Sequence, residues 1–136
     1  DIADDFRIVS ADRFENLAPD HVVIASDGAG PRIELEMSLL SWRNHFTCDV
    51  FAELGTAHIE SLCKWGPSSF THRRRVLPSG RPPEEVVTLV QDDPTWEAEY
   101  AHFKALCSGQ GASNLENDRW LYRSLGRLSS EIQGVG

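Results

Sequence analysis

Between Arg32 and Pro83 the chain reads as successive β-strands joined by turns too short to hold a crossover helix, and this constrains the fold more than any other feature. Ile33, Leu35 and Met37 alternate with Glu34, Glu36 and Ser38, the two-residue period of a strand with one wet face. Val50, Ala52 and Leu54 repeat the pattern up to Gly55-Thr56, which reads as a hairpin turn, and Ile59, Leu62 and Trp65 continue it more loosely. Phe70, Val76 and Leu77 flank a basic segment that ends at Pro78-Ser79-Gly80. The expected consequence is an antiparallel meander of neighbouring strands.

The flanking segments add to this. Phe6, Ile8 and Val9 predict a short strand, Ala11 to Leu17 a turn or a single helical turn, and Val22-Val23-Ile24 a second strand stopped by the turn run Ser26-Asp27-Gly28-Ala29-Gly30-Pro31. Downstream, Arg81-Pro82-Pro83 breaks the chain before a strand carrying Val86, Val87, Leu89 and Val90. Asp92-Asp93-Pro94 then announces a helix, because Asp93 can accept from free N–H groups and Pro94 suits the first helical position. Trp96, Tyr100, Phe103 and Leu106 recur at helical spacing, and Ser108-Gly109 with Gly111 stops them. Asn114 is placed to cap a last helix striped by Leu121, Leu125, Leu128 and Ile132. The expectation is a single α+β domain over residues 1–136. Its mainly antiparallel open sheet has six or seven strands, with the two C-terminal helices packed on one face and the other left to solvent or another protein.

Composition narrows the partners. A formal net charge of −8 disfavours nucleic acid and anionic membrane as the main partner, and no apolar run approaches the ~20 residues of a membrane span. Lys64, Arg73, Arg74, Arg75 and Arg81 nonetheless crowd into one region, which suits a small anionic group better than a polymer. Cys48, Cys63 and Cys107 are odd in number and widely spaced, so reduced thiols and a cytoplasmic setting are expected. The chain opens on Asp1 without a secretory signal pattern, and its one methionine is Met37, so a longer protein is expected.

The most function-like stretch is Cys63-Lys64-Trp65-Gly66-Pro67-Ser68. It sets a cation, a flat ring and a hydroxyl around a Gly-Pro turn, residue types that grip a sugar by stacking and hydrogen bonding. The same residues also suit a strand end anchored by a tryptophan. In His72-Arg73-Arg74-Arg75, a strand puts Arg73 and Arg75 on one face, where they can fork onto a carboxylate or phosphate. Alternatively the arginines pair with Glu34, Glu36, Asp49 or Glu53 on neighbouring strands, which the acidity of those strands favours. Lys64, Trp65, Ser68, Arg73 and Arg75 are the candidate substrate-binding residues. His21, His45, His58, His72 and His102 are scattered, and His45-x-x-Cys48 has no second ligand pair spaced to complete a zinc site, so no metal is expected. Asp118, Trp120 and Tyr122 can close over a ligand, although core packing is the default reading of Trp120. No G-x-S-x-G occurs. Gly28-Ala29-Gly30 leads into Pro31 and a strand, so no helix N-terminus awaits a pyrophosphate and no cofactor is expected on this chain itself.

Ser38, Ser41 and Trp42, then Glu53, Gly55, Thr56, Ala57 and Ile59, then the C-K-W-G-P-S run make a sequence of short motifs between strands. This series resembles the C-terminal domain of the glucose-fructose oxidoreductase, inositol dehydrogenase and rhizopine-catabolism (Gfo/Idh/MocA) family, from about His21 onward. The resemblance implies a sheet-and-helix domain of the glyceraldehyde-3-phosphate dehydrogenase-like kind. It also implies a parent enzyme using NAD or NADP on a sugar, cyclitol or related polyol, and a homo-oligomer formed through the open sheet face. The family's nucleotide cradle, its E-K-P type lysine and its Asp/His pair have no matching positions here. A Rossmann domain upstream of Asp1 is therefore implied, no catalytic residue is carried over, and the isolated chain is expected to be inactive; the alternative is a stand-alone small-ligand-binding or structural dimerisation module without catalysis.

Overall fold

A computed structural model describes residues 5–26, 28–62 and 66–134. Seven strands and two helices follow in order: β1 (Phe6–Asp12), β2 (His21–Ser26), β3 (Glu34–Ser38), β4 (Thr47–Ala52), β5 (Gly55–Glu60), β6 (Ser68–Arg74), β7 (Glu84–Leu89), α1 (Thr95–Cys107) and α2 (Leu115–Gly134). The fold is α+β, as the alternation and the two helical stripes predict. In place of one sheet of six or seven strands, the strands form two antiparallel sheets, β1-β2-β3 and β4-β5-β6-β7. Periodicity reports which residues want a covered face; it carries no information on which non-adjacent strands pair, and β3 and β4 do not. The chain divides into two compact units, Asp1–Trp42 with Ala112–Gly136, and Arg43–Gly111.

In the first unit, Ile8, Ile24 and Leu35 stand in one cross-strand row and Ala11, Val22 and Met37 in the next. This apolar face receives α2. Phe6, Ile24 and Leu128 are buried together, with Ile8, Val22 and Trp120 packed around them. Trp120 meets Phe6 edge-on, ring centroids 6.4 Å apart. The line that docks shares Leu128 and Ile132 with the sequence stripe but departs from its first half: Trp120 and Ser124 lie inward, while Leu121 and Leu125 stay exposed. Four-residue spacing identifies a stripe but leaves its edges open by about one residue.

The turn between β1 and β2 is held by Asp20, which is only 2 % exposed. Its carboxylate accepts from the side-chain amide of Asn16 and from the backbone N–H groups of Phe14 (2.8 Å), Glu15 (2.9 Å) and Asn16 (3.2 Å). Successive N–H groups converging in this way make an anion-binding concavity, filled here by the chain's own carboxylate. The Asn16 amide, then the Glu15 and Phe14 N–H groups, hold the Asp20 carboxyl well below the ordinary carboxylate value. A depressed folded-state pKa means that the unfolded chain takes up the proton first. The stabilisation is therefore complete above the ordinary value of 3.8 and is lost as pH falls below it. Asp20→Asn is expected to lower the thermal midpoint at pH 7, with the gap to the natural chain narrowing as pH drops below about 4. A gap independent of pH would refute a charged anchor.

The second unit is the four-stranded meander with α1. Asp93 accepts from the Thr95 N–H at 3.0 Å and from the Thr95 hydroxyl, but Pro94 takes the N-cap position rather than the first helical one and no side chain caps the helix, a correction to the expected Asp93 cap. Gly109, at φ +73°, reverses the chain at the other end, with its N–H on the Leu106 carbonyl. The expected packing of this helix on the sheet is not found. α1 buries none of its residues, and Trp96, Tyr100, Phe103 and Leu106 are all exposed.

Candidate functional site

The β4–β5 hairpin sets the geometry of the second sheet. Ala52 pairs with Gly55, so the turn is Glu53-Leu54 and Gly55 opens β5, a correction to the turn expected at Gly55-Thr56. The glycine is required by close approach: a Cβ there would collide with the Arg73 carbonyl oxygen on β6. Gly55→Ala is expected to cost about 1–3 kcal/mol, because the obstacle is backbone and the strands must part. Urea denaturation would read the loss; an unchanged midpoint would mean that β5 and β6 separate freely.

Directly opposed residues of an antiparallel sheet share a face. One face of this sheet therefore carries the row Asp49, His58, Thr71 and Val86, and beside it Phe51, Thr56, Arg73 and Glu84. His58 Nδ1 lies 2.7 Å from Asp49 Oδ1, and Arg73 Nε donates to Glu84 Oε2 at 2.6 Å. Thr71, next to His58 on the central strand, is buried. A carboxylate on Nδ1 fixes the imidazole's tautomer and orientation and leaves Nε2 as the atom that can exchange a proton with a bound hydroxyl.

The opposite face carries Cys48, Ile59, Phe70 and Val87 in one row and Val50, Ala57, His72 and Glu85 in the next, with Arg74 and Leu89 toward its two ends. Val50, Phe70, Val87 and Leu89 are exposed there. The sheet is thus only partly sided: the first face gathers most of the polar groups but also exposes Phe51 and Val86, and the second is the more apolar, with no described residue burying its apolar side chains.

The candidate binding residues fall as follows. Lys64 and Trp65 lie outside the described residues. Ser68 begins β6 and pairs with Leu89, whereas Arg73 lies near the other end of that strand and on the opposite face, roughly 17 Å along it. Those two do not converge. Arg75 follows β6 and reaches back to the β4–β5 turn: its N–H donates to the Leu54 carbonyl at 2.8 Å and its guanidinium to the Glu53 carbonyl at 3.3 Å. Arg73 meets a carboxylate of the next strand, as the pairing alternative foresees, but the partner is Glu84 rather than any of the four acids named for it. Among the described residues no three His, Cys, Asp or Glu side chains gather as a metal site, and no helix is long and apolar enough to cross a membrane. Cys48 and Cys107 are free thiols.

The Asp49–His58 pair was not foreseen. A turn at Gly55-Thr56 sets Asp49 opposite Leu62; only the turn at Glu53-Leu54 brings His58 across from it. Comparison with protein-family models, with curated proteins and with solved structures returns no match to this chain.

Proposed function

We propose that this chain is an assembly domain, which joins a second copy of itself through the apolar face of the β4–β7 sheet. The observation that carries the reading is the exposure of Phe70, Val87 and Leu89 together on that face, with Val50 exposed two strands away beyond half-buried Ile59. Contiguous apolar surface of this kind marks a contact site more often than a bare wall. A second copy is the fitting occupant because the face carries both signs of charge, Arg74 and Glu85, so a two-fold axis can set each against the other.

Four strands at ~4.8 Å and six residues at ~3.4 Å give a face of roughly 400 Å². A standard interface buries about 800 Å² on each partner, so the face alone supports only weak association, micromolar or looser. The exposed stripe of α1 is the other large apolar surface of this unit and the natural means of extending the contact. Sedimentation equilibrium over a wide concentration range tests the reading. A monomer–dimer equilibrium is expected, and a strict monomer at roughly millimolar concentration overturns it.

The setting we propose for this domain is the substrate-side part of an NAD(P)-dependent oxidoreductase of sugars, cyclitols or related polyols. Its support is the resemblance carried by Ser38, Ser41, Trp42, Glu53, Gly55, Thr56, Ala57 and Ile59. On the polar face, Asp49 and His58 supply a proton-exchanging group and Arg73 a cation of the kind a polyol or sugar phosphate would engage. A reading frame upstream of Asp1 that encodes strand, G-x-G-x-x-G and helix is the expected result. A start codon close to Asp1 would sink the redox setting and leave the assembly reading standing.

A further inference from the structure

The first unit holds a cleft of about 540 Å³ that neither the assembly reading nor the oxidoreductase setting uses. Its floor is Val22, Ile24 and Met37 of the β1–β3 face, with Ile24 buried against Leu128 and Met37 exposed, and its wall is Leu125, Leu128 and Ile132 of α2. Leu17 and Pro19 of the β1–β2 turn also line it. The polar groups of the lining, Arg13, Ser129 and Gln133, come from the same turn and from the end of α2. Arg13 makes no hydrogen bond or ion pair among the described residues, in a chain whose acidic side chains outnumber the basic ones by 21 to 13. The turn that carries it is already held by Asp20, so little ordering is left to be done when a ligand arrives.

From this arrangement we infer that the cleft binds an amphipathic monocarboxylate, with a medium-length aliphatic body on the Val22–Ile24–Met37 floor and its carboxylate on the Arg13 guanidinium. The volume falls in the range of small-molecule sites, which are mostly apolar with a few placed polar groups. A single cation matches a single negative charge, and the guanidinium fork matches the planar geometry of a carboxylate. The lining holds no aromatic ring on which a sugar would stack, and its aliphatic side chains suit a methylene chain.

Isothermal titration calorimetry of the whole chain with decanoate, below its micelle-forming concentration, tests this. Saturable binding of one decanoate per chain is expected, with decanol, which has the same body and no charge, weaker by about tenfold. Arg13→Gln, at an exposed position, is expected to weaken decanoate by about the same factor while leaving decanol unchanged. Met37→Trp, which fills the floor from an exposed strand position, should abolish both. The inference is overturned by absent saturable heat from a folded chain, by decanol binding as tightly as decanoate, or by Arg13→Gln binding decanoate normally. It is equally overturned if Met37→Trp or decanoate converts a dimer to monomers, because the cleft would then belong to a second copy.

Discussion

Phe70→Glu is expected to abolish self-association, raising the dimer dissociation constant by about a hundredfold or more, while leaving the far-ultraviolet circular dichroism of the chain unchanged. Phe70 lies on β6, an inner strand, and on the apolar face, flanked by Ile59 and Val87 in one cross-strand row. It is 43 % exposed, so in the monomer a glutamate at this position keeps its hydration and the strand keeps its backbone ladder. In a face-to-face dimer the same carboxylate would be stripped of water with no cation in its row. Interfaces concentrate their energy in a few central residues, and a small face has fewer of them to lose. Thr88→Glu is the control, since Thr88 pairs with Ser69 and points to the polar side. Sedimentation equilibrium of the two variants decides the matter. Equal effects, or none from either, would show that the apolar face is not the contact.

Leu128→Ala is expected to cost about 2–5 kcal/mol, the range for emptying a packed leucine site. The first unit has few buried apolar side chains, and Leu128, at 6 % exposure, joins Phe6 and Ile24 at their centre. Marginal stability at the usual rate per residue amounts to ~3–10 kcal/mol for a unit of this length. The substitution therefore removes a large share of what keeps α2 on the β1–β3 sheet. Leu121→Ala, on the same helix but 47 % exposed, removes a side chain of the same size from the surface and is expected to cost well under half as much. Thermal melts followed by helical dichroism measure both. If the two variants melt alike, the helix is held by something other than the Phe6–Ile24–Leu128 contact.

Both predictions turn on the difference between a pattern and its partner. The alternation of Ile33 to Ser38, the stripes of α1 and α2 and the Gly109 stop were all legible, because each depends on residues within one or two turns of one another. The α+β class follows from them directly. So does the existence of an apolar sheet face, since a two-residue period must place its apolar set on one side.

The candidate site was legible only in part. Arg73 and Arg75 were visible as cations, but their roles depend on Glu84 arriving from β7 and on the Glu53-Leu54 turn, which lies more than twenty residues upstream of Arg75. The Asp49–His58 pair depended on a turn placed two residues from where the glycine suggests. A shift in the turn changes every cross-strand neighbour, so a small local error erased this contact from view.

The sequence by itself determined the element types, their order, the stop at Gly109 and the alternation along the strands, since propensity, turn chemistry and periodicity act over a few residues. Tertiary structure alone decided that the strands divide into sheets of three and four, that α2 docks along Trp120, Ser124 and Leu128, and that α1 buries nothing. The reason is physical. Burial of apolar surface is non-directional, so a stripe states that it should be covered without stating by what. Only the closure of specific ladders and contacts over long sequence separations selects the partner.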